Sequence, residues 1–381
     1  MVGHIINTFL FQTGSWIYSQ IQFQPCYPSI ILSLELENQE QFPYDKIFSL
    51  QNLSKRRQYW ERIIRKSATH YYPYFYHVSR EEGVQLLHAH FGTVGLNNLS
   101  LARSLGVPLI TSFYGADMSM KLDNGLELSQ KYKELFKSGT LFLVEGPAAK
   151  QQLLLLGCPQ EKIKVYRLGV DVGSNCRQAP QNPISDKIRV LMAATFTEKK
   201  GMSYGIEAFC QAAQENDRLH LTVVGDARST KPEEFKIKEN LHQIVHRYQM
   251  SERVNFLGFI KLKQLDELAH QHNIFLHPSV TAKNGDNEGG SPVVITEMQA
   301  AGLPVIASRH CDIPQAVIDQ ETGFLAEERD VTQLKSSLLQ LADDPQLRLR
   351  MGRQAIAHIR DQFDARKQGI LLGKIYQEII G

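Results

Sequence analysis

Short, β-rich apolar runs alternate with helical patterns along this chain, and that alternation constrains its fold more than any other feature. Eleven runs can be read: 2–10, 86–90, 108–114, 140–144 and 163–168, then 188–194, 219–224, 254–257, 274–277, 304–307 and 323–325. Continuous rather than alternating apolarity suits strands covered on both faces, as in a parallel sheet. Helical periodicity between the runs, at 204–213 and 233–246 for example, makes them βαβ units of doubly wound sheets. One break divides the series: 173–183 has no periodicity and carries Pro180 and Pro183, which reads as an interdomain linker. The expected organisation is therefore α/β, with Rossmann-like domains over 1–172 and 188–360 and a linker over 173–187. A C-terminal helix follows at 361–381, and its return onto the N-terminal domain is open. In open α/β sheets, ligands bind outside the carboxyl ends of the strands. Two such domains facing one another would place a cleft between those ends.

Composition excludes more than it identifies. A net charge of +2 over 381 residues argues against nucleic acid as the main partner, yet permits a small anion held by local charge. The five cysteines (Cys26, Cys158, Cys176, Cys210 and Cys311) form no Cys-x-x-Cys pair, so neither a disulfide framework nor a zinc site is indicated. The opening MVGHIINTFLF lacks the basic region and cleavage site of a signal peptide. No apolar run approaches the ~20 residues of a membrane span. A cytoplasmic protein is expected.

The stretch GDNEGGSPVVITE, 285–297, carries the chemistry. Ser291-Pro292 reads as a helix start, serine as cap and proline at the first helical position. Gly289 and Gly290 precede it, and glycines let backbone N–H groups approach a ligand closely. A glycine-rich turn feeding a helix N-terminus is an anion site. Glu288 and Glu297 stand on either side, and carboxylates accept well from hydroxyls. A ligand with a central diphosphate and hydroxylated ends, such as a nucleotide sugar, has the matching shape.

From this stretch through MQAAGLPVIAS to HCDIPQAVIDQETGFLAEERD, the sequence resembles the retaining family 4 glycosyltransferases. It is most similar to the bacterial branch that builds exopolysaccharides, colanic acid among them, and lipid-linked oligosaccharides. The resemblance implies the GT-B fold, with the acceptor on the first domain and the nucleotide-sugar donor mainly on the second.

By that resemblance Glu297 is the second Glu of the Glu-x7-Glu motif, expected on the ribose hydroxyls. Glu288 is the first, expected on the transferred sugar. The spacing here is one residue longer, and the extra residue falls within Gly289-Gly290-Ser291. ATFTEKKG, 194–201, resembles a Gly-Arg-x4-Lys-Gly loop that puts Lys200 on the diphosphate, with Thr195 at the arginine position and Lys199 expected to be solvated. TSFYGAD, 111–117, matches a His-Gly-x-Asp segment with Tyr114 in place of histidine, and a phenol does not shuttle protons readily near neutrality. Asp117 is either a helix cap or an acceptor-site group. The loop Gln12-Thr13-Gly14-Ser15-Trp16 lies where relatives approach donor phosphate and acceptor. Gly14 is assigned to the donor, and Ser15 and Trp16 to the acceptor. Backbone groups at Gly258, Phe259 and Ile260 are expected on the base, and Ser291, Pro292 and Val293 on the donor. The catalytic candidates are Lys200, Glu288, Tyr114 and His90, with His90 also facing the acceptor.

His88 and His90 share one face of a strand, but no third ligand follows at useful spacing. No Asp-x-Asp occurs either, so no metal and no cofactor are expected. The stretch NLSKRRQYWERIIRKSAT, 52–69, is a basic amphipathic helix: either a domain helix with a solvated basic side or a contact for an anionic membrane or lipid-linked acceptor. The expected activity is metal-independent, retaining transfer of a hexose from a UDP- or GDP-sugar to a glycan or lipid-linked hydroxyl. A sugar-nucleotide epimerase and a non-catalytic sugar-nucleotide-binding subunit are the alternatives. A nicotinamide dehydrogenase is disfavoured, since neither first strand is followed by Gly-x-Gly-x-x-Gly.

Overall fold

The computed structural model describes residues 1–11, 13–119, 128–175 and 186–381. Gln12, Cys176 and most of the expected linker, 176–185, lie outside the described residues. The chain forms two compact units, Met1–Gly169 with Ala365–Gly381, and Val170–Asp364.

The first unit holds seven strands: β1 Val2–Phe9, β2 Ser29–Leu36, β3 Ile47–Ser49, β4 Leu86–His90, β5 Leu109–Ser112, β6 Leu141–Val144 and β7 Ile163–Val165. All pair in parallel in the order β3-β2-β1-β4-β5-β6-β7. Neither β2 nor β3 is among the expected runs. The run Ile30-Ile31-Leu32 could have revealed β2, whereas three residues are too few for β3 to show a period. One face is covered by the C-terminal helix Ala365–Ile380, whose Leu372, Ile375 and Tyr376 join Val2, Leu86 and Ile110 in a buried cluster. Close approach depends on Gly369, where a Cβ would lie 1.8 Å from the Phe23 carbonyl oxygen.

The second unit holds six strands: β8 Ile188–Ala193, β9 Leu219–Val224, β10 Val254–Gly258, β11 Ile274–His277, β12 Val305–Ser308 and β13 Gly323–Ala326. The order is β10-β9-β8-β11-β12-β13, again all parallel. The helices Met202–Glu215 and Val331–Asp343 pack on one face, and Val293–Ala300 on the other. Cover on both sides explains the apolar runs of the inner strands, whereas the edge strand β10 is partly exposed. In each sheet the order reverses once, between β1 and β4 and between β8 and β11, and the crevice at that switch is where such sheets bind ligands.

Candidate active site

Every strand of the second sheet points its carboxyl end the same way, and the expected site residues follow those ends. After β8 the chain makes a single 3-10 turn, Glu198–Lys200, closed by Gly201 at φ +62°. A side chain at Gly201 would put its Cβ 1.8 Å from the Pro278 carbonyl oxygen, so glycine is required by both dihedral and space. Val280 N–H donates to the Lys199 carbonyl at 2.8 Å, which fixes the turn against the exit from β11. Lys200 Nζ consequently lies 2.9 Å from Glu288 Oε2, with side-chain exposures of 18% and 6%. The two residues come from opposite sides of the strand-order switch. Lys199, expected to be solvated, is instead paired with Asp286 at 3.1 Å and donates to the Asn287 carbonyl at 2.9 Å.

Glu288 is gripped from several directions. Ser279 Oγ donates to its Oε1 at 2.8 Å, and its own N–H donates to His310 Nε2 at 3.2 Å. Because that nitrogen accepts, the ring proton of a neutral His310 belongs on Nδ1, which meets Glu328 Oε1 at 2.6 Å. Glu328 Oε2 is held in turn by Thr281 N–H at 2.9 Å. Burial alone would raise the Glu288 carboxyl, yet the Lys200 ammonium beside it holds it well below the usual carboxylate range. His277 Nε2, 3.9 Å from Oε1, lies beyond hydrogen-bond reach and contributes less than the lysine. Neither His310 nor Glu328 is among the expected site residues. Their relation spans β12 and β13 and leaves no local pattern, although each follows a strand end.

The helix start differs from expectation. Pro292, at φ −55° and ψ 124°, is itself the N-cap of Val293–Ala300, with no side-chain cap. Ser291 thus precedes the cap, and its buried Oγ has no protein partner. Gly289, at φ +71°, donates its N–H to Asn287 Oδ1 at 2.8 Å, so that amide is already engaged within the loop. The Gly290 carbonyl accepts from Asp312 N–H at 3.3 Å. Val293 is half-buried at the helix start, and Glu297 is half-buried on the next turn. Thr195, half-buried after β8, gives its carbonyl to Thr197 N–H at 2.8 Å. Gly258 ends the edge strand β10 at φ +69°, followed by exposed Phe259 and half-buried Ile260. Two strand spacings, about 10 Å, separate that edge from β8.

The first unit brings its candidates together in a largely buried setting. His90, expected to face the cleft, is fully buried, with Nε2 3.0 Å from His4 Nδ1 and Nδ1 2.9 Å from the Tyr114 hydroxyl. With both ring nitrogens engaged and no exposed surface, His90 supports Tyr114 and does not reach an acceptor. Tyr114 is also nearly buried, and Gln20 Nε2 donates to its hydroxyl at 3.3 Å. The third histidine that sequence spacing did not supply is His4, on β1. One ring nitrogen from each of His4, His88 and His90 lies within 4.8 Å of the others, while His88 is engaged by Tyr376 and Ser112 and His90 by His4 and Tyr114. Burial pushes His4 down to about 3 and His88 and His90 well below the usual imidazole range, leaving them neutral near pH 7. Asp117 Oδ2 accepts from Tyr114 N–H at 3.2 Å as a turn cap, and burial raises its carboxyl to about 7. Gly14 is the N-cap of the helix Ser15–Gln22. Ser15 and Trp16 are half-buried on its first turn, with the Trp16 ring 4.2 Å from that of Tyr114 and 6.0 Å from that of Phe91.

Residues 177–358 match the family described as glycosyl transferases group 1. AmsK of Erwinia amylovora, an amylovoran biosynthesis glycosyltransferase, is 32% identical over 259 residues, 66% of this chain and 60% of its own. WcaL of Escherichia coli (strain K12), whose name assigns it to colanic acid biosynthesis, is 32% identical over 253 residues, 66% of this chain and 59% of its own. The chain thus spans about 60% of the length of these curated relatives. The crystal structure of Anabaena HepE with UDP and glucose superimposes with a TM-score of 0.78 at 17% identity, covering 99% of each chain. Sucrose-phosphate synthase of Thermosynechococcus elongatus gives 0.71 at 16% identity, covering 99% of this chain and 98% of its own. These likenesses show the fold, which is GT-B. Residues 177–358 are thus similar to the group 1 glycosyl transferases, in a chain with the GT-B fold.

Proposed function

We propose that the chain is a hexosyltransferase acting on a nucleotide-diphosphate sugar, with a UDP- or GDP-sugar as donor and a glycan or lipid-linked hydroxyl as acceptor, in exopolysaccharide assembly. The observation that carries this reading is the Lys200–Glu288 pair at the switch of the second sheet, beside the turn that feeds Val293–Ala300. An ammonium has three donors, so Lys200 can hold Glu288 and still bond a phosphate oxygen. Charge that develops on a departing diphosphate would meet Lys200 and the helix terminus, both already in place. Glu288 would accept from the transferred sugar and Glu297 from the ribose. Gly258, Phe259 and Ile260 line the expected base side. The names of AmsK and WcaL support the polysaccharide setting, and the UDP and glucose held by HepE support a nucleotide-sugar donor.

In the first unit, Ser15, Trp16 and Tyr114 would receive the acceptor, with His90 and Asp117 holding Tyr114 from behind. Transfer would retain anomeric configuration and use no metal, since Lys200 and backbone dipoles supply the positive charge. A cytoplasmic location suits a nucleotide-sugar donor, and residues 52–69 would meet a lipid-linked acceptor at the membrane. Among the described residues, no helix is long and apolar enough to cross a membrane.

A panel of nucleotide sugars tested by thermal shift, followed by transfer assays with EDTA present and product anomers read by NMR, checks the reading. The expected result is stabilisation by one donor class, because a ligand of the folded state alone raises apparent stability. EDTA-resistant transfer that keeps the anomer should follow. Donor consumption without acceptor would favour the epimerase, and tight binding without turnover the non-catalytic subunit. No stabilisation by any nucleotide sugar would end the proposal.

A further inference from the structure

The helix Lys55–Ile64 is turned inside out. It buries Gln58 and Glu61, at 7% and 6% exposure, and leaves Tyr59, Trp60 and Ile64 at 62%, 50% and 36%. The inward polar groups are bonded: Gln58 Nε2 donates to the Gln51 and Leu53 carbonyls, and Glu61 Oε2 accepts from Tyr74 N–H. The inversion is therefore built into the packing, and the apolar side faces outward without protein cover. Clustered exposed aromatics of this kind mark an interaction surface.

Charge is concentrated on the same segment. Residues 55–66 carry six basic side chains and one acid, Glu61, whereas the whole chain nets only +2. With Glu61 turned inward, the outer surface has no acid of its own. The helix continues as a π-helical turn, Arg65–Thr69, which His70 ends at φ +60°. Such turns recur at functional sites. Here the turn brings Arg62, Arg65, Lys66 and His70 around one groove of about 500 Å³, floored by Tyr72 and Asn97. Arg65 is held in position by the Tyr72 hydroxyl at 2.9 Å. Among the described residues, none of the three cations makes a salt bridge.

We propose that this groove binds the phosphate of anionic phospholipid headgroups, with Tyr59, Trp60 and Ile64 seated in the interfacial zone of the same bilayer. A bilayer offers phosphates and an apolar layer in one plane, which is the combination this surface presents, and Trp and Tyr favour that depth. The lipid-linked acceptor reading gives the contact its purpose. Its chemistry stands apart from that reading, because vesicle binding and sugar transfer are measured separately.

The test is sedimentation of the full chain with vesicles of phosphatidylcholine alone or mixed with phosphatidylglycerol, at low and physiological salt. Binding is expected only with phosphatidylglycerol and should weaken as salt rises. Each neutralised surface cation should weaken it about fivefold, so Arg62→Gln with Lys66→Gln should weaken it roughly 25-fold. Both residues are exposed, and the thermal transition should not move. In a Trp16→Phe background, Trp60 emission should shift to the blue on vesicle binding, and Trp60→Ala should lose affinity. Equal binding to neutral vesicles, or no binding at low salt as for a surface meant for an acidic protein, overturns the proposal. So does full displacement by inorganic pyrophosphate at matched ionic strength without a Trp60 shift, which would make the groove a free-phosphate site.

Discussion

Replacing Lys200 by alanine tests the pairing on which the proposed donor site depends, and its effect reaches beyond catalysis. At 2.9 Å and an effective dielectric of about 20, the Lys200–Glu288 attraction is about 6 kcal/mol before the cost of taking both charges out of water. That cost offsets most of the gain, but removing one partner leaves the other charge buried and uncompensated, typically a loss of about 3–5 kcal/mol. Glu288 can escape by taking a proton. Its carboxyl is held low in the intact pair, so the pair contributes stability above the ordinary carboxylate range and loses it as pH falls through the depressed value. In Lys200→Ala the carboxyl should instead rise, so the destabilisation is greatest at pH 7.5 and shrinks toward pH 5. Both tryptophans, Trp16 and Trp60, lie in the first unit, whereas the pair lies in the second. Urea unfolding followed by far-UV circular dichroism should therefore show the loss while tryptophan fluorescence does not. Adding Glu288→Gln should restore much of the stability but no transfer. Equal losses at both pH values, additive single and double variants, or a loss seen first in fluorescence would refute the reasoning.

His310→Ala removes the acceptor of the Glu288 N–H and should lower kcat/KM about tenfold or more, the cost of one unsatisfied buried donor. His310→Gln, whose amide oxygen reaches the same place, should recover most of it in steady-state kinetics. In the first unit the buried imidazoles and Asp117 give opposite pH slopes. Below pH 6.5 the unfolded chain binds protons that buried His4, His88 and His90 refuse, so stability falls on acidification by up to about 1.4 kcal/mol per imidazole per pH unit. Asp117, raised to about 7, holds a proton in the folded state that the unfolded chain has lost, so its contribution falls as pH rises from about 4 to 7. Fluorescence-monitored urea midpoints should thus drop from pH 7 to 5 in the wild type and more steeply in Asp117→Asn. A midpoint independent of pH would contradict both assignments.

What could be read from the sequence followed from burial. Strands covered on both faces must be largely apolar, so β1, β4 to β6 and the inner strands of the second sheet stood out as runs, and the partly exposed edge strands β7 and β10 did so through Ile163, Val165, Val254, Phe256 and Leu257. β2 begins as such a run, but Ser33, Leu34, Glu35 and Leu36 then alternate as burial thins toward its end. Lys200 and Glu288 were legible because each sits beside a glycine turn at a strand end. Their pairing was not, because it joins residues 88 apart through a turn whose geometry depends on Gly201 clearing Pro278. The same holds for His310 with Glu328 and for His4 with His90. Each local pattern names one partner, and only the parallel order of the strands decides the other.

That order also explains why two sheets of like topology carry unlike chemistry. Each reverses its strand order once, so each offers one crevice. In the first unit the elements around that crevice supply the rings of Trp16 and Phe91, backed by the buried Tyr114 phenol and His90 imidazole. In the second they supply two lysines, both paired with acids. A neutral, aromatic surface suits a sugar ring, with its apolar faces and hydroxyl edges. A surface of fixed charges suits a diphosphate, whose negative charge must be met by groups that need not reorganise. The division of labour in the proposed transfer, acceptor on the first unit and donor on the second, therefore has a basis in which side chains the strand ends carry. Exchanging those surfaces, for instance by placing a lysine at Trp16, should impair acceptor use while leaving donor binding intact.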